Sequence, residues 1–234
     1  MSSPEALTPD VEATLELPGG GRALFTNRTA GNLSTGAGED HEQGFARREQ
    51  LCGRLGLQWL CSSRQTHGTN VNAVARVAGR AGEALAIDAD GHATALQGVG
   101  AMVMAADCLP VALGATGAVA IVHAGWRGLS AGVLEAGVAA LRELSEAEPI
   151  EAVVGPCAGV CCYEVGAEVH SAFGGAHSVG RHIDLRAIAH ERLAGAGVGR
   201  VRDVQACTIC DERFFSYRRE GERAGRQAGV AWLS

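Results

Sequence analysis

The 234 residues carry a formal charge of −6, a 47% hydrophobic share and no block of basic side chains. That length accommodates one large domain or two small ones, with enough apolar content to bury a sizeable core. The charge argues against sequence-independent attraction to a phosphate backbone, so nucleic acid is not an expected partner.

The N-terminus, Met1-Ser-Ser-Pro-Glu-Ala-Leu-Thr-Pro-Asp10, lacks the basic start and apolar run of a secretory signal. No stretch approaches the roughly 20 apolar residues of a membrane span. A cytoplasmic protein with no membrane partner is expected, with residues 1–12 as a flexible tail. The eight cysteines therefore read as reduced thiols, because disulfide frameworks belong to short secreted chains.

Thr14–Leu17 and Arg22–Thr26, separated by Pro18-Gly-Gly-Gly21, predict a hairpin-like start. Asn27–Asp40 reads as loop. A helix is predicted from about Glu42 to Leu55, stopped by Gly56, and Leu57–Leu60 predicts a strand leading into Gln65. Val71–Val77 alternates loosely, and Asp88-Ala-Asp90 predicts a turn. Gly98–Ala106 is a continuous apolar run that fits a strand buried on both faces. Val111–Leu113 and Ala118–Val122 predict the next two strands. The helical spacing of Val133, Leu134, Val138 and Leu141 predicts a helix from Ser130 to about Leu144. After it come a strand over Glu151–Val154, helices over Glu164–Phe173 and Asp184–Ala194, and strands over Val201–Thr208 and Gly229–Leu233. No fixed-period repeat or low-complexity linker interrupts this order, so one α/β domain over 1–234 is the simplest organisation.

Three residues stand in dense local motifs: His67 in Gln65-Thr-His-Gly-Thr69, Cys108 in Ala106-Asp-Cys-Leu-Pro110, and His123 in Val122-His-Ala-Gly-Trp-Arg-Gly128. Two imidazoles and a thiolate are the donor set of a catalytic zinc site, which keeps three protein ligands and leaves the fourth position to water or substrate. The intervals of 41 and 15 residues are not those of a zinc finger or ribbon. Taken singly, each residue fits a hydrogen-bonded histidine or an inert thiol better than a ligand. What joins them is a shared predicted position at the ends of apolar strands, where α/β sheets gather functional side chains.

Other candidates stay open on residue chemistry alone. Arg127 and the helix start after Gly125 make an anion site, or else Gly125 and Gly128 merely allow a turn and Arg127 is solvated. Cys207-Thr-Ile-Cys210 is a redox pair, half of a metal clamp completed by Cys161 and Cys162, or two packed thiols near a turn. Phe214-Phe-Ser-Tyr-Arg-Arg219 is a base-stacking and phosphate-contacting wall, or an amphipathic strand edge.

QTHGTNV, ADCLPV, VHAGWRGLSAGVLE, GPCAGVCCYEVG and CTICDERFFSYRREG, in this order from about Phe25 to the C-terminus, resemble the laccase-domain family. That family is also called YfiH-like, multicopper polyphenol oxidoreductase or purine nucleoside phosphorylase. The resemblance implies an α/β (α+β) layered sandwich of mixed β-sheets flanked by helices, and a zinc site whose ligands match His67, Cys108 and His123. It implies phosphorolysis of adenosine, inosine, guanosine and methylthioadenosine, and deamination of adenosine in the same pocket. Copper-dependent phenol oxidation, with copper in place of zinc, editing of peptidoglycan precursors and non-enzymatic metal binding are its alternatives. One departure is that relatives usually carry a longer N-terminal loop, where this chain has only Arg28–Thr35.

On this basis the expected partners are a purine nucleoside and phosphate, bound by a monomer or homodimer. Cys108, Asp107 and Glu164 are the expected catalytic set, the two acids as proton shuttles. Arg127, Gly125, Arg64 and Arg218 are expected at the phosphate, and Phe215 at the substrate.

Overall fold

The computed structural model describes residues 5–7, 13–77 and 79–234, the first three as backbone. The tail expected over 1–12 lies outside the described residues except for that short segment. In chain order the strands are β1 (Glu5–Leu7), β2 (Leu15–Glu16), β3 (Gly21–Phe25), β4 (Trp59–Cys61), β5 (Val71–Val74), β6 (Gly91–Thr94) and β7 (Val99–Ala105). They continue as β8 (Leu109–Ala115), β9 (Ala118–Ala124), β10 (Glu151–Val154), β11 (Ser178–Val179), β12 (His182–Ile183), β13 (Arg200–Val204) and β14 (Gln227–Leu233). The α-helices are α1 (Gly44–Arg54), α2 (Trp126–Ala131), α3 (Val133–Leu144), α4 (Ala167–Ala172), α5 (Leu185–Gly195) and α6 (Tyr217–Glu220).

Two mixed sheets and a small hairpin organise these elements. One sheet has the order β1-β13-β10-β8-β9-β6-β5, the other β2-β3-β14-β7-β4, and β11 pairs with β12. Every residue of β8, β9 and β14 is buried, as expected for strands covered on both faces. The pleat sorts their side chains. In β9, Val119 and Ile121 meet Ala101, Val103 and Ala231 between the two sheets, while Ala120 and Val122 face the other way toward Leu134, Val138 and Leu141 of α3. On the outer face of the second sheet, Leu51 and Cys52 of α1 pack with Leu60, Met102, Val230 and Trp232. The result is a mixed α/β fold in four layers: α3 and α5, the seven-stranded sheet, the five-stranded sheet, and α1.

The predicted strands and helices recur with shifted ends, and three differences bear on function. The helix expected from Ser130 begins at Trp126 and breaks at Gly132, whose φ of +101° only glycine adopts without strain, leaving α2 with 6 residues. A strand at Gly91–Thr94, too short and too polar to be read from its pattern, pairs with both β5 and β9. The Phe214–Arg219 segment turns through Ser216, which caps α6 by accepting from the Arg219 N–H, so it is not a strand edge. Among the described residues no helix is long and apolar enough to cross a membrane.

Because Ile121 is fully buried where the two sheets meet, Ile121→Ala is expected to cost about 2–5 kcal/mol in denaturant unfolding. Val179→Ala, 61% exposed on the small hairpin, is expected to stay within about 0.5 kcal/mol of wild type.

Candidate functional site

Strand pairing brings the three motif residues together. β5 runs parallel to β6, with Val71 opposite Gly91. β6 runs antiparallel to β9, with Gly91 opposite Val122, and β8 runs antiparallel to β9, with Pro110 opposite His123. The loop entering β5, the residue entering β8 and the end of β9 therefore share one edge of the sheet. There the ligand atoms of His67, Cys108 and His123 all lie within 4.8 Å of one another. Cys108 Sγ is 3.8 Å from His67 Nε2, and the imidazole rings meet edge to face at 4.9 Å.

The residue that positions them is Asp90, immediately before β6. Its fully buried carboxylate accepts the backbone N–H groups of Thr66 (3.0 Å), His67 (2.9 Å) and Gly68 (2.8 Å), and the Nδ1–H of His123 (2.9 Å). Burial alone would raise this carboxyl, but the bonds from His123, Gly68 and Thr66 pull it down to about 2, so it is charged at neutral pH. A carboxylate only accepts, so His123 must carry its proton on Nδ1 and turn Nε2 toward Cys108, the usual outer-sphere arrangement of a metal-bound histidine. Gln65 adds a second clamp: its amide exchanges two bonds with the backbone of Met104, at 2.7 and 2.8 Å, tying the same turn to β7.

Electrostatics suit a cation. Burial raises the Cys108 thiol, yet the charge of His123 and hydrogen bonds from both histidines bring it down to about 6. Burial lowers His123, yet the Cys108 charge and the Asp90 bond push it up to about 9. The pair is a thiolate beside an imidazolium, and a divalent ion would displace the imidazolium proton. Gly125 keeps the space clear, since a Cβ there would stand 2.6 Å from His67 Cδ2 and 3.1 Å from Cys108 Sγ. This close approach, more than a phosphate turn, accounts for glycine at 125.

The three residues sit in a cleft of about 740 Å³. Arg127, Arg64, Arg218 and Asp107 also line it, but each is differently employed. Arg127 lies 4.3 Å over the Trp126 ring and pairs with no carboxylate among the described residues. Arg64 is gripped at the rim by both oxygens of Asp88, at 2.6 Å each. Arg218 donates to the Glu164 carbonyl at 2.6 Å and lies over the Tyr163 ring. Asp107, at a φ of +92°, has both oxygens engaged at 2.7 Å, one by the Thr208 hydroxyl and one by the Arg218 N–H. Both oxygens are thereby tied to the far wall of the cleft.

Glu164 and Phe215 fall outside the lining. The Glu164 carboxylate pairs with Arg181, and the Phe215 ring lies under Arg28 and against Gly225. The rings that do reach the cleft are Trp126, Tyr163 and Tyr217. The shortened N-terminal loop still arrives through Ser34 and Thr35, because Asn32 accepts from Ser34 and Arg226 and donates to the carbonyls of Ala37 and Glu39. Arg48 and Arg226, which no sequence signal distinguished, also line the cleft without a carboxylate partner among the described residues.

A second group lies beyond the Asp107 wall. The sulfurs of Cys161, Cys162, Cys207 and Cys210 are all within 4.8 Å of one another. Burial raises the Cys207 thiol, but backbone N–H groups of Cys210, Gly159 and Ile209 directed at its sulfur bring it down to about 7.

The family model for multi-copper polyphenol oxidoreductase laccase matches residues 21–234. A purine nucleoside phosphorylase of Xylella fastidiosa is 39% identical, over 92% of this chain and 88% of its own. An adenosine deaminase from an unknown prokaryotic organism is 36% identical, over 83% and 84%. The crystal structure of a Neisseria meningitidis protein superposes with a TM-score of 0.80 at 32% identity, covering 95% of this chain and 98% of that one.

Asp90→Asn keeps the shape but replaces one charged acceptor oxygen by a donor that faces N–H groups. Metal affinity, measured by competition with a chromophoric chelator, is expected to fall about 10- to 100-fold. The far-UV circular dichroism spectrum is expected to be retained.

Proposed function

This chain belongs to the multi-copper polyphenol oxidoreductase laccase family, and from that premise we propose that it is a zinc-dependent purine nucleoside enzyme. It phosphorolyses adenosine, inosine, guanosine or methylthioadenosine and deaminates adenosine in one cleft. The observation that carries this reading is a three-donor site in a cleft whose walls offer aromatic faces and cations without carboxylate partners.

His67, Cys108 and His123 would hold the ion, and three protein donors leave its coordination open. When bound, zinc supplies Lewis acidity for attack of water at purine C6. Asp90 fixes the His123 tautomer that such binding needs. Trp126, Tyr163 and Tyr217 offer flat surfaces for a purine. The Tyr163 hydroxyl, raised by burial and the nearby Cys108 charge to about 12, stays a neutral donor at physiological pH. Arg127 is the foremost phosphate contact, since its guanidinium answers no carboxylate among the described residues. Asp107 and Glu164 serve as positioning residues: the first holds the α6 backbone, and the second holds the Arg218 guanidinium through its carbonyl. Copper-dependent phenol oxidation is less well supported. Among the described residues only one donor cluster contains histidine, whereas a multicopper site needs many imidazoles.

Adenosine incubated with zinc-replete protein is expected to give inosine without phosphate, and free base with ribose 1-phosphate when phosphate is added. Absence of both product sets, read by chromatography, rejects the reading. Arg127→Ala is expected to raise the KM for phosphate about 10- to 100-fold, as befits loss of a charged hydrogen bond, while phosphate-free deamination changes little.

A further inference from the structure

The four clustered sulfurs outside the cleft have a geometry that packing alone does not explain. Zinc–sulfur bonds of about 2.3 Å place the corners of a tetrahedron about 3.8 Å apart. Cys161 Sγ and Cys210 Sγ stand 3.7 Å apart, and all four sulfurs fall within 4.8 Å. Cys161 and Cys210 are exposed, so hydrophobic burial does not hold them there.

The backbone is arranged for thiolates. Gly159 donates its N–H to Cys207 Sγ at 3.2 Å. Arg219 braces the turn between Cys207 and Cys210 by donating to the carbonyls of Thr208 (2.9 Å) and Ile209 (2.8 Å). In a trans peptide the carbonyl and the following N–H point in opposite directions. Drawing those two carbonyls onto the guanidinium therefore turns the N–H groups of Ile209 and Cys210 away from it, toward the interior of the turn. A backbone amide directed at a sulfur favours negative charge there, which a metal ligand needs and a neutral packed thiol does not.

We propose that Cys161, Cys162, Cys207 and Cys210 form a second, closed metal site that takes a zinc-class cation and pins together the two loops that wall the cleft. One loop runs from Cys162 directly into Tyr163, and the other from Cys210 toward Tyr217 and Arg218. Four thiolates complete a tetrahedron, so this site is structural where the His67–Cys108–His123 site is open. Binding releases the thiol protons to water and needs no oxidant. The inference stands apart from the nucleoside chemistry and holds or fails without it.

Protein purified under reducing, zinc-replete conditions is expected to contain two zinc equivalents per chain by mass spectrometric metal analysis. Cys161→Ser with Cys210→Ser, both at exposed positions, is expected to leave one. In metal-free Cys108→Ala protein, which has no thiolate at the cleft site, added Co2+ is expected to give intense thiolate-to-cobalt charge-transfer absorption. That absorption is expected to vanish in the triple variant. Unchanged zinc content in the double variant, no charge-transfer band in Cys108→Ala protein, or a disulfide within the cluster by alkylation and mass analysis overturns the proposal. The cobalt spectrum of Cys108→Ala protein decides the matter even if the double variant does not fold.

Discussion

One buried carboxylate holds the candidate site together. Asp90 is wholly inside the protein, where an uncompensated charge would be costly, and its hydrogen bonds offset that cost while fixing geometry. Three of its donors are consecutive backbone amides of the Thr66–Gly68 turn, and the others are the Thr66 hydroxyl and the ring of His123. Two segments from different strands are thereby referred to one anchor. The left-handed backbone of His67, at a φ of +61°, is tolerated because that anchor over-determines it.

Asp107 does for the far wall what Asp90 does for the near one. It carries strain at a φ of +92° and returns two short bonds to the segment that delivers Arg218 and Tyr217. Ala158 adds a bond to its carbonyl at 2.8 Å, so the turn holding Cys108 is joined to both cysteine-bearing loops. The candidate donor cluster, the cleft wall and the sulfur cluster form one continuous network of short contacts. Asp107, expected to move protons, also ties this network together, since each of its oxygens accepts one bond from the far wall.

Strands such as β7, β8 and β9 were legible because a run of apolar residues buried on both faces has no competing reading beside turn residues. The candidate donors His67, Cys108 and His123 stood out through dense motifs and a family resemblance, not through spacing. Asp90 was not, because an Asp-Ala-Asp turn on an acidic chain looks like any solvated turn, and β6 beside it is only four residues of mixed polarity. Phe215 and Tyr217 illustrate the same limit. Both belong to one aromatic cluster, and only the Ser216-capped turn into α6 decides that Tyr217 faces the cleft while Phe215 lies under Arg28.

By itself the sequence determined the order of the main strands and helices, the family likeness and the donor types, since these follow from local patterns of polarity and from contiguous motifs. Only the tertiary structure decided which carboxylates are spent on backbone amides, which arginines keep an unanswered charge, and which four of the eight cysteines converge. The reason is physical. A hydrogen bond or a coordination site joins atoms across tens of residues of chain, and nothing in the local pattern around either partner records that the other is near.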